Sequence, residues 1–193
     1  MAVHRMLIEM AIQFEAKLVD IDAGAQHDPA YLKLNPAGHV PTLIVDGVPR
    51  HESVALLMLL AERHPEAALA PGSGSPDHPE WLETTVYLAN TVLPATRDWF
   101  YASTDGDPAG ALAVRALAER RIEAACAKLD THFASGRADF LAVVLMRRWT
   151  RNMPRPALTW PHLADYIRRL RALPSFIDLN AREKLTEWRN EDD

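Results

Sequence analysis

Residues 35–53 read Asn-Pro-Ala-Gly-His-Val-Pro-Thr-Leu-Ile-Val-Asp-Gly-Val-Pro-Arg-His-Glu-Ser, and their types and spacing suit ligand chemistry. Pro41 follows Val40 immediately before the β-rich run Thr42–Val45. A cis Val40–Pro41 bond there would turn the chain sharply, and Pro41 has no N–H to give to a ladder. The Val40 backbone would be left to pair with an extended peptide in the manner of an added strand. Eleven residues after Pro41, Glu52 and Ser53 fall where a strand gives way to a helix. The Ser53 hydroxyl and the first N–H groups of that helix suit a carboxylate, and Glu52 suits an ammonium. Backbone pairing, an anion site and a counter-charge to an amine together match the groups of a γ-glutamyl peptide. Pro41 alone reads as a structural turn and Ser53 alone as a cap; their joint spacing favours a ligand site.

The elements that must position these residues are legible from pattern. Val3, Met6, Leu7 and Met10 fall on one face of a helix. Phe14–Ile21 alternates loosely and predicts a strand. Asp28-Pro29 opens a short helix that Asn35-Pro36-Ala37-Gly38 ends. Asp46-Gly47 between β-rich flanks predicts a tight hairpin, since both residues accept positive φ. Ser53 caps a helix running to about His64, which Pro65 stops. Ala70-Pro-Gly-Ser-Gly-Ser-Pro76 reads as a linker, and the chain beyond it reads helical. Helices are predicted at about 79–101, 108–133, 138–151, 161–171 and 175–184. This places a small α+β unit at 1–69, a linker at 70–78 and an all-helical unit at 79–193.

Composition sets the outer limits. The chain has 193 residues, 48% hydrophobic and 24% charged, with a net charge of −5. That apolar content fits a folded core rather than disorder, and the charge gives no footprint for nucleic acid. No charge-free apolar run approaches the ~18 residues of a membrane span. One cysteine, Cys126, makes neither a disulfide framework nor a cysteine zinc site, and mid-helix it reads as a buried small hydrophobe. The eight histidines show no metal spacing, so no metal is expected. A cytoplasmic setting is the expectation.

The N-P-x-G-x-V-P-x-L stretch followed by Glu52-Ser53 resembles the glutathione S-transferase family, in a bacterial-looking, N-terminally shortened form. The resemblance runs through the linker to the tail, where Trp160-Pro-His-Leu and Arg171-Ala-Leu-Pro-Ser-Phe176 look like the family's last helices. It implies an α+β thioredoxin-like N-terminal domain, its first strand missing from the chain as written, followed by an all-α helical bundle. It also implies glutathione as ligand or cosubstrate, a homodimer, and a small electrophile as acceptor. By resemblance Val40 pairs with the cysteinyl backbone, Pro41 is the cis proline, and Glu52 and Ser53 hold the γ-glutamyl end. His39 falls where members often place Lys or Arg toward the glycine carboxylate; a histidine is mostly neutral at pH 7, which weakens that contact. Tyr87, Asn90, Trp99, Phe100 and Tyr101 lie along the helix that borders the family's acceptor site, although each also reads as core or a domain contact. His4 and Arg5 fall near the thiol position, yet an exposed helix face accounts for both.

Two departures bear on activity. A thiol of pKa ~8.5 is largely protonated at pH 7, and lowering it by about two units asks about 2.7 kcal/mol of a site. Family members use a Tyr, Ser or Cys just after the first strand, whereas here no Ser, Cys or Tyr precedes Tyr31. Loss of that central strand would also separate Phe14–Ile21 from Thr42–Arg50 and leave backbone groups unpaired. An internal start or a rearranged fold is therefore expected. Near residues 133–139 the loop is short, and Gly136 stands where a Ser or Thr usually opens a capping box. The resemblance implies a conjugating enzyme; the missing activator leaves a non-catalytic glutathione-binding or dimerisation module as the alternative.

Overall fold

The computed structural model describes residues 2–104, 107–134, 153 and 155–184. Helix α1 (Ala2–Glu9) buries Val3, Met6 and Leu7, the face its sequence periodicity marks. Its end is a Schellman turn. Ala11 sits at φ 52°, the Ile12 N–H reaches the Leu7 carbonyl at 3.1 Å, and the Ala11 N–H reaches Ile8 at 3.0 Å. The one-turn helix α2 (Pro29–Leu32) begins after Asp28, with proline at its first position.

Strands β1 (Leu43–Val45) and β2 (Val48–Arg50) form an antiparallel hairpin in the register Leu43↔Arg50, Ile44↔Pro49, Val45↔Val48. Asp46 at φ 54° and Gly47 at φ 76° supply the two positive φ values that a right-twisted two-residue turn needs. Helix α3 (Ser53–Arg63) follows, and its Arg63 grips Asp46 with bonds of 2.6 and 3.1 Å, tying the hairpin tip to the helix end. Those bonds hold the Asp46 carboxyl below its ordinary pKa.

The strand expected at Phe14–Ile21 does not form. Among the described residues the sheet is the two-stranded β1–β2 hairpin, and residues 13–20 carry no regular structure. A strand exists through its ladder, and no described segment lies alongside this stretch to complete one. Ile12 and Phe14 still lean on the N-terminal core, but Leu18 is 93% exposed. Most of residues 13–20 are exposed, and the Asp20 carbonyl accepts the Ala25 N–H at 2.9 Å.

The helical part begins with α4 (His78–Tyr87) and α5 (Leu93–Tyr101), joined through a π-helical turn at Leu88–Val92. Pro94 explains the wide turn: it offers no N–H, and its ring crowds the carbonyl four residues back. Asp107 caps the short turn Pro108–Gly110, its carboxylate accepting the Ala109 N–H at 3.0 Å, and α6 (Ala111–Ala134) follows. Helix α7 (Pro161–Arg171) is capped from a distance, by Asp130 of α6 accepting the Leu163 N–H at 2.9 Å. The last helix is α8 (Pro174–Arg182). The helix expected at 138–151 and the short loop before Ala138 lie outside the described residues.

Two apolar clusters organise the packing. One joins Val3, Met6 and Leu7 to Leu56, Leu57, Leu60 and Ala61 of α3, and takes Trp81 from beyond the linker. The other is built from α5, α6 and α7, with Phe133 stacked on Tyr166 at 4.1 Å between centroids. Helix α1 lies between α3 and α8, and this corrects the exposed face expected for His4 and Arg5. Arg5 is 2% exposed and donates to Ser175 Oγ at 3.5 Å and the Leu170 carbonyl at 3.4 Å. His4 Nδ1 meets Glu183 Oε1 at 2.8 Å. Both face α8 because an eight-residue helix covered on two sides has little surface left for solvent.

Arg5→Ala should destabilise the protein by about 2–4 kcal/mol, through lost stem packing and stranded partners on α7 and α8. Arg5→Met, which keeps the stem, should recover part of it; equal urea midpoints for Arg5→Ala and the parent would contradict this. Cys126 is buried, and that burial pushes its thiol up to about 12. A thiol raised above its unfolded value of 9.0 makes the fold lose stability as pH rises past that value, because only the unfolded chain has ionised. Folded protein should resist thiol alkylation at pH 8 and react once denatured; rapid labelling without unfolding would refute the burial.

Candidate functional site

The hairpin register brings the two halves of the motif to one end. Pairing stops at Leu43↔Arg50, so Val40-Pro41 and Glu52-Ser53 both lie just beyond the last rung, at the open end of the hairpin. The Val40–Pro41 bond is cis. Val40 is 44% exposed, and no backbone hydrogen bond uses its N–H or C=O among the described residues. Its main chain is thus presented to an incoming ligand with both polar groups available.

The loop before it is held tightly. Asn35, 3% exposed, donates from Nδ2 to the His39 carbonyl at 2.7 Å, while its Oδ1 accepts the Ala37 N–H at 3.1 Å. The Tyr31 hydroxyl donates to the same carbonyl at 2.7 Å and lies 2.8 Å from Thr42 Oγ1. A hydroxyl has one proton, so toward Thr42 it accepts. Gly38 is buried at φ +64°, and a Cβ there would sit 3.0 Å from His27 Nδ1; both the dihedral and the space demand glycine. The signals for Tyr31 and Asn35 lay in the sequence as an Asn-Pro turn and an aromatic one helical turn earlier. Nothing local tied either to residue 39.

Glu52 and Ser53 stand at the N-terminus of α3. Glu52 has φ 66° and ψ 103°, and its carbonyl accepts the Leu56 N–H at 2.9 Å. A non-glycine residue in that region stores about 1–3 kcal/mol of strain, which surrounding structure must impose. The Glu52 side chain is exposed and makes no capping bond to the helix. The opening N–H groups of α3 therefore keep their positive end available to an anion. His39 is exposed at the rim.

The other residues singled out from sequence lie elsewhere. Tyr87 and Trp99 pack against the helical core; Lys128 Nζ sits 3.9 Å above the Tyr87 ring, and Trp99 Nε1 donates to Glu119 at 3.0 Å. Burial raises the Tyr87 hydroxyl above its ordinary pKa. Tyr101 lies under Arg97, and Phe100 meets it edge-on at 4.9 Å. Asn90 is exposed. No group of three or more His, Cys, Asp or Glu among the described residues could hold a metal. No described helix is long and apolar enough to cross a membrane.

Comparison with known proteins places this geometry. Residues 1–68 match the family model for the N-terminal domain of glutathione S-transferase. A glutathione S-transferase of Xanthomonas campestris is 32% identical over 131 residues, covering 68% of this chain and 60% of that protein. Glutathione S-transferase 1 of Dianthus caryophyllus is 42% identical over 60 residues, covering 31% of this chain and 27% of that one. The chain thus spans less than two thirds of these relatives' length. A sphingomonad glutathione S-transferase solved with glutathione superimposes with a TM-score of 0.80 at 26% identity, over 96% of this chain and 94% of that one. The motif of residues 35–53, the N-terminal match and the shared architecture agree: this chain belongs to the glutathione S-transferase family, with a thioredoxin-like domain followed by a helical one.

Proposed function

We propose that the chain binds glutathione at the open end of the β1–β2 hairpin and conjugates its thiol to a small electrophile. The observation that carries the binding half is the main chain of Val40, unpaired among the described residues, at the hairpin end that also leads into α3. Val40 pairs with the cysteinyl backbone beside Pro41. Ser53 and the first N–H groups of α3 take the γ-glutamyl carboxylate, Glu52 answers the ammonium, and His39 faces the glycine end. The solved sphingomonad relative holds glutathione, which supports this choice of ligand. The acceptor lies against the α4–α5 helix carrying Tyr87, Trp99 and Tyr101, and no metal takes part. The protein acts in the cytoplasm as a homodimer whose protomers each comprise units 1–69 and 79–193 joined by 70–78.

A second reading, a glutathione-binding or dimerisation module without conjugating activity, is favoured by one observation. The Tyr31 hydroxyl is engaged with His39 and Thr42. His4 and Arg5 are likewise turned to Glu183 and Ser175 rather than to the hairpin end.

Glutathione at a hundredfold excess over its Kd should stabilise the fold by about 2.7 kcal/mol, a rise of several degrees in Tm. Ser53→Ala should weaken binding about tenfold by removing one charge-assisted hydrogen bond. An unchanged Tm at millimolar glutathione would sink the binding site, and an unchanged affinity in Ser53→Ala would sink that residue's role. The 193-residue chain should turn over a generic aryl halide electrophile only slowly at pH 7. Brisk, glutathione-dependent turnover would instead show that a group in this chain activates the thiol.

A further inference from the structure

We propose that Tyr31 and Asn35 are positioning residues for glutathione: together they hold the His39 carbonyl and thereby aim the Val40 N–H at the ligand. This rests on the reading of Val40 as the residue that pairs with glutathione.

The argument is one of peptide planarity. The His39 carbonyl and the Val40 N–H belong to a single planar unit and point in opposite directions across it. Whatever fixes the carbonyl therefore fixes the N–H. Here two donors converge on that oxygen, Tyr31 Oη at 2.7 Å and Asn35 Nδ2 at 2.7 Å, enough to occupy both of its lone pairs. With the carbonyl drawn inward to a buried asparagine, the Val40 N–H faces outward, on a residue that is 44% exposed. The Thr42 hydroxyl, donating to Tyr31 at 2.8 Å, secures the chain on the far side of Pro41 as well. Only residues 40 and 41 between these anchors have no side-chain hydrogen bond, and one of them is the residue that meets the ligand. Neither Tyr31 nor Asn35 is assigned a contact with glutathione; both act through the peptide they orient, which lowers the ordering cost that binding would otherwise carry.

The test uses the intact chain labelled with nitrogen-15, with glutathione itself as the probe. Tyr31→Phe removes only a hydroxyl. Asn35→Asp keeps the acceptor for the Ala37 N–H but sets a carboxylate oxygen against the His39 carbonyl. Each variant should lose about five- to tenfold in glutathione affinity by calorimetry, at a temperature where it is fully folded. At saturating glutathione the Val40 amide resonance should shift less than in the parent, while the Ser53 amide shifts as it does in the parent. A merely structural role would disturb both resonances alike, and that outcome overturns the proposal. Parental affinity in both variants overturns it too, leaving the glutathione reading intact. If the parent shows no glutathione-dependent shift at Val40 or Ser53, the reading itself falls and the positioning role with it. Should Asn35→Asp fail to fold, Tyr31→Phe alone decides between these outcomes.

Discussion

Asn35 is 3% exposed, and each of its polar groups would cost about 1–3 kcal/mol if buried without a partner. The surrounding chain has to satisfy them, and it does so with its own backbone. The side chain bridges the Ala37 N–H and the His39 carbonyl, the main-chain N–H reaches Tyr31, and the carbonyl accepts from Gly38. Those four bonds wrap residues 31–39 around one amide. The shape of the wrap places Gly38 against His27 at a positive φ, where a Cβ would be both strained and tight, and delivers the chain into the cis Val40–Pro41 bond. The hairpin and the start of α3 follow from that point.

A second constraint lies at the start of α3. The hairpin turn at Asp46-Gly47 sets a register that returns the chain to Glu52 after one short excursion. Glu52 must then change direction into α3 within a single residue, and it does so in a strained conformation. The strain sits beside helix N–H groups that no Glu52 side-chain cap satisfies, and in the proposed site these are the groups offered to an anionic ligand. A relaxed, self-capped helix start would be more stable and would offer less to bind.

The N-terminal helix shows how the chain packs around the two-stranded sheet formed among the described residues. With no described strand beside residues 13–20, that stretch is mostly exposed, and of it Phe14, with the neighbouring Ile12, packs on the core. Stability at this end comes from α1 instead, clamped between α3 and α8 with an arginine in the seam. Burial lowers the Arg5 pKa while Glu9, one helical turn away, works against that shift. Trp81 reaches back from beyond the linker into the same cluster, so a residue of α4 completes the N-terminal core.

Sequence alone was sufficient for features whose determinants are adjacent in the chain. The apolar face of α1, the proline start of α2, the Asp46-Gly47 hairpin, and among the described residues the helices near 79–101, 108–133, 161–171 and 175–184 follow from spacing and turn chemistry. The same holds for the motif of residues 35–53, whose members lie within one hairpin and its flanks. A helix also begins at Ser53, but the N-cap is Glu52 and no side chain caps it, so the cap expected at Ser53 is not the one formed. Periodicity misled at Phe14–Ile21, because alternation describes the side chains of a strand and not the partner its backbone requires. It also missed the burial of His4 and Arg5, since polar residues on a short helix look exposed until a second helix arrives from residue 174 onward. The convergence of Tyr31 and Asn35 on one carbonyl was likewise decided by tertiary structure. Turns and caps are settled by a few neighbouring residues, whereas a ladder partner, a buried cation or a shared acceptor depends on groups that only folding brings within hydrogen-bonding reach.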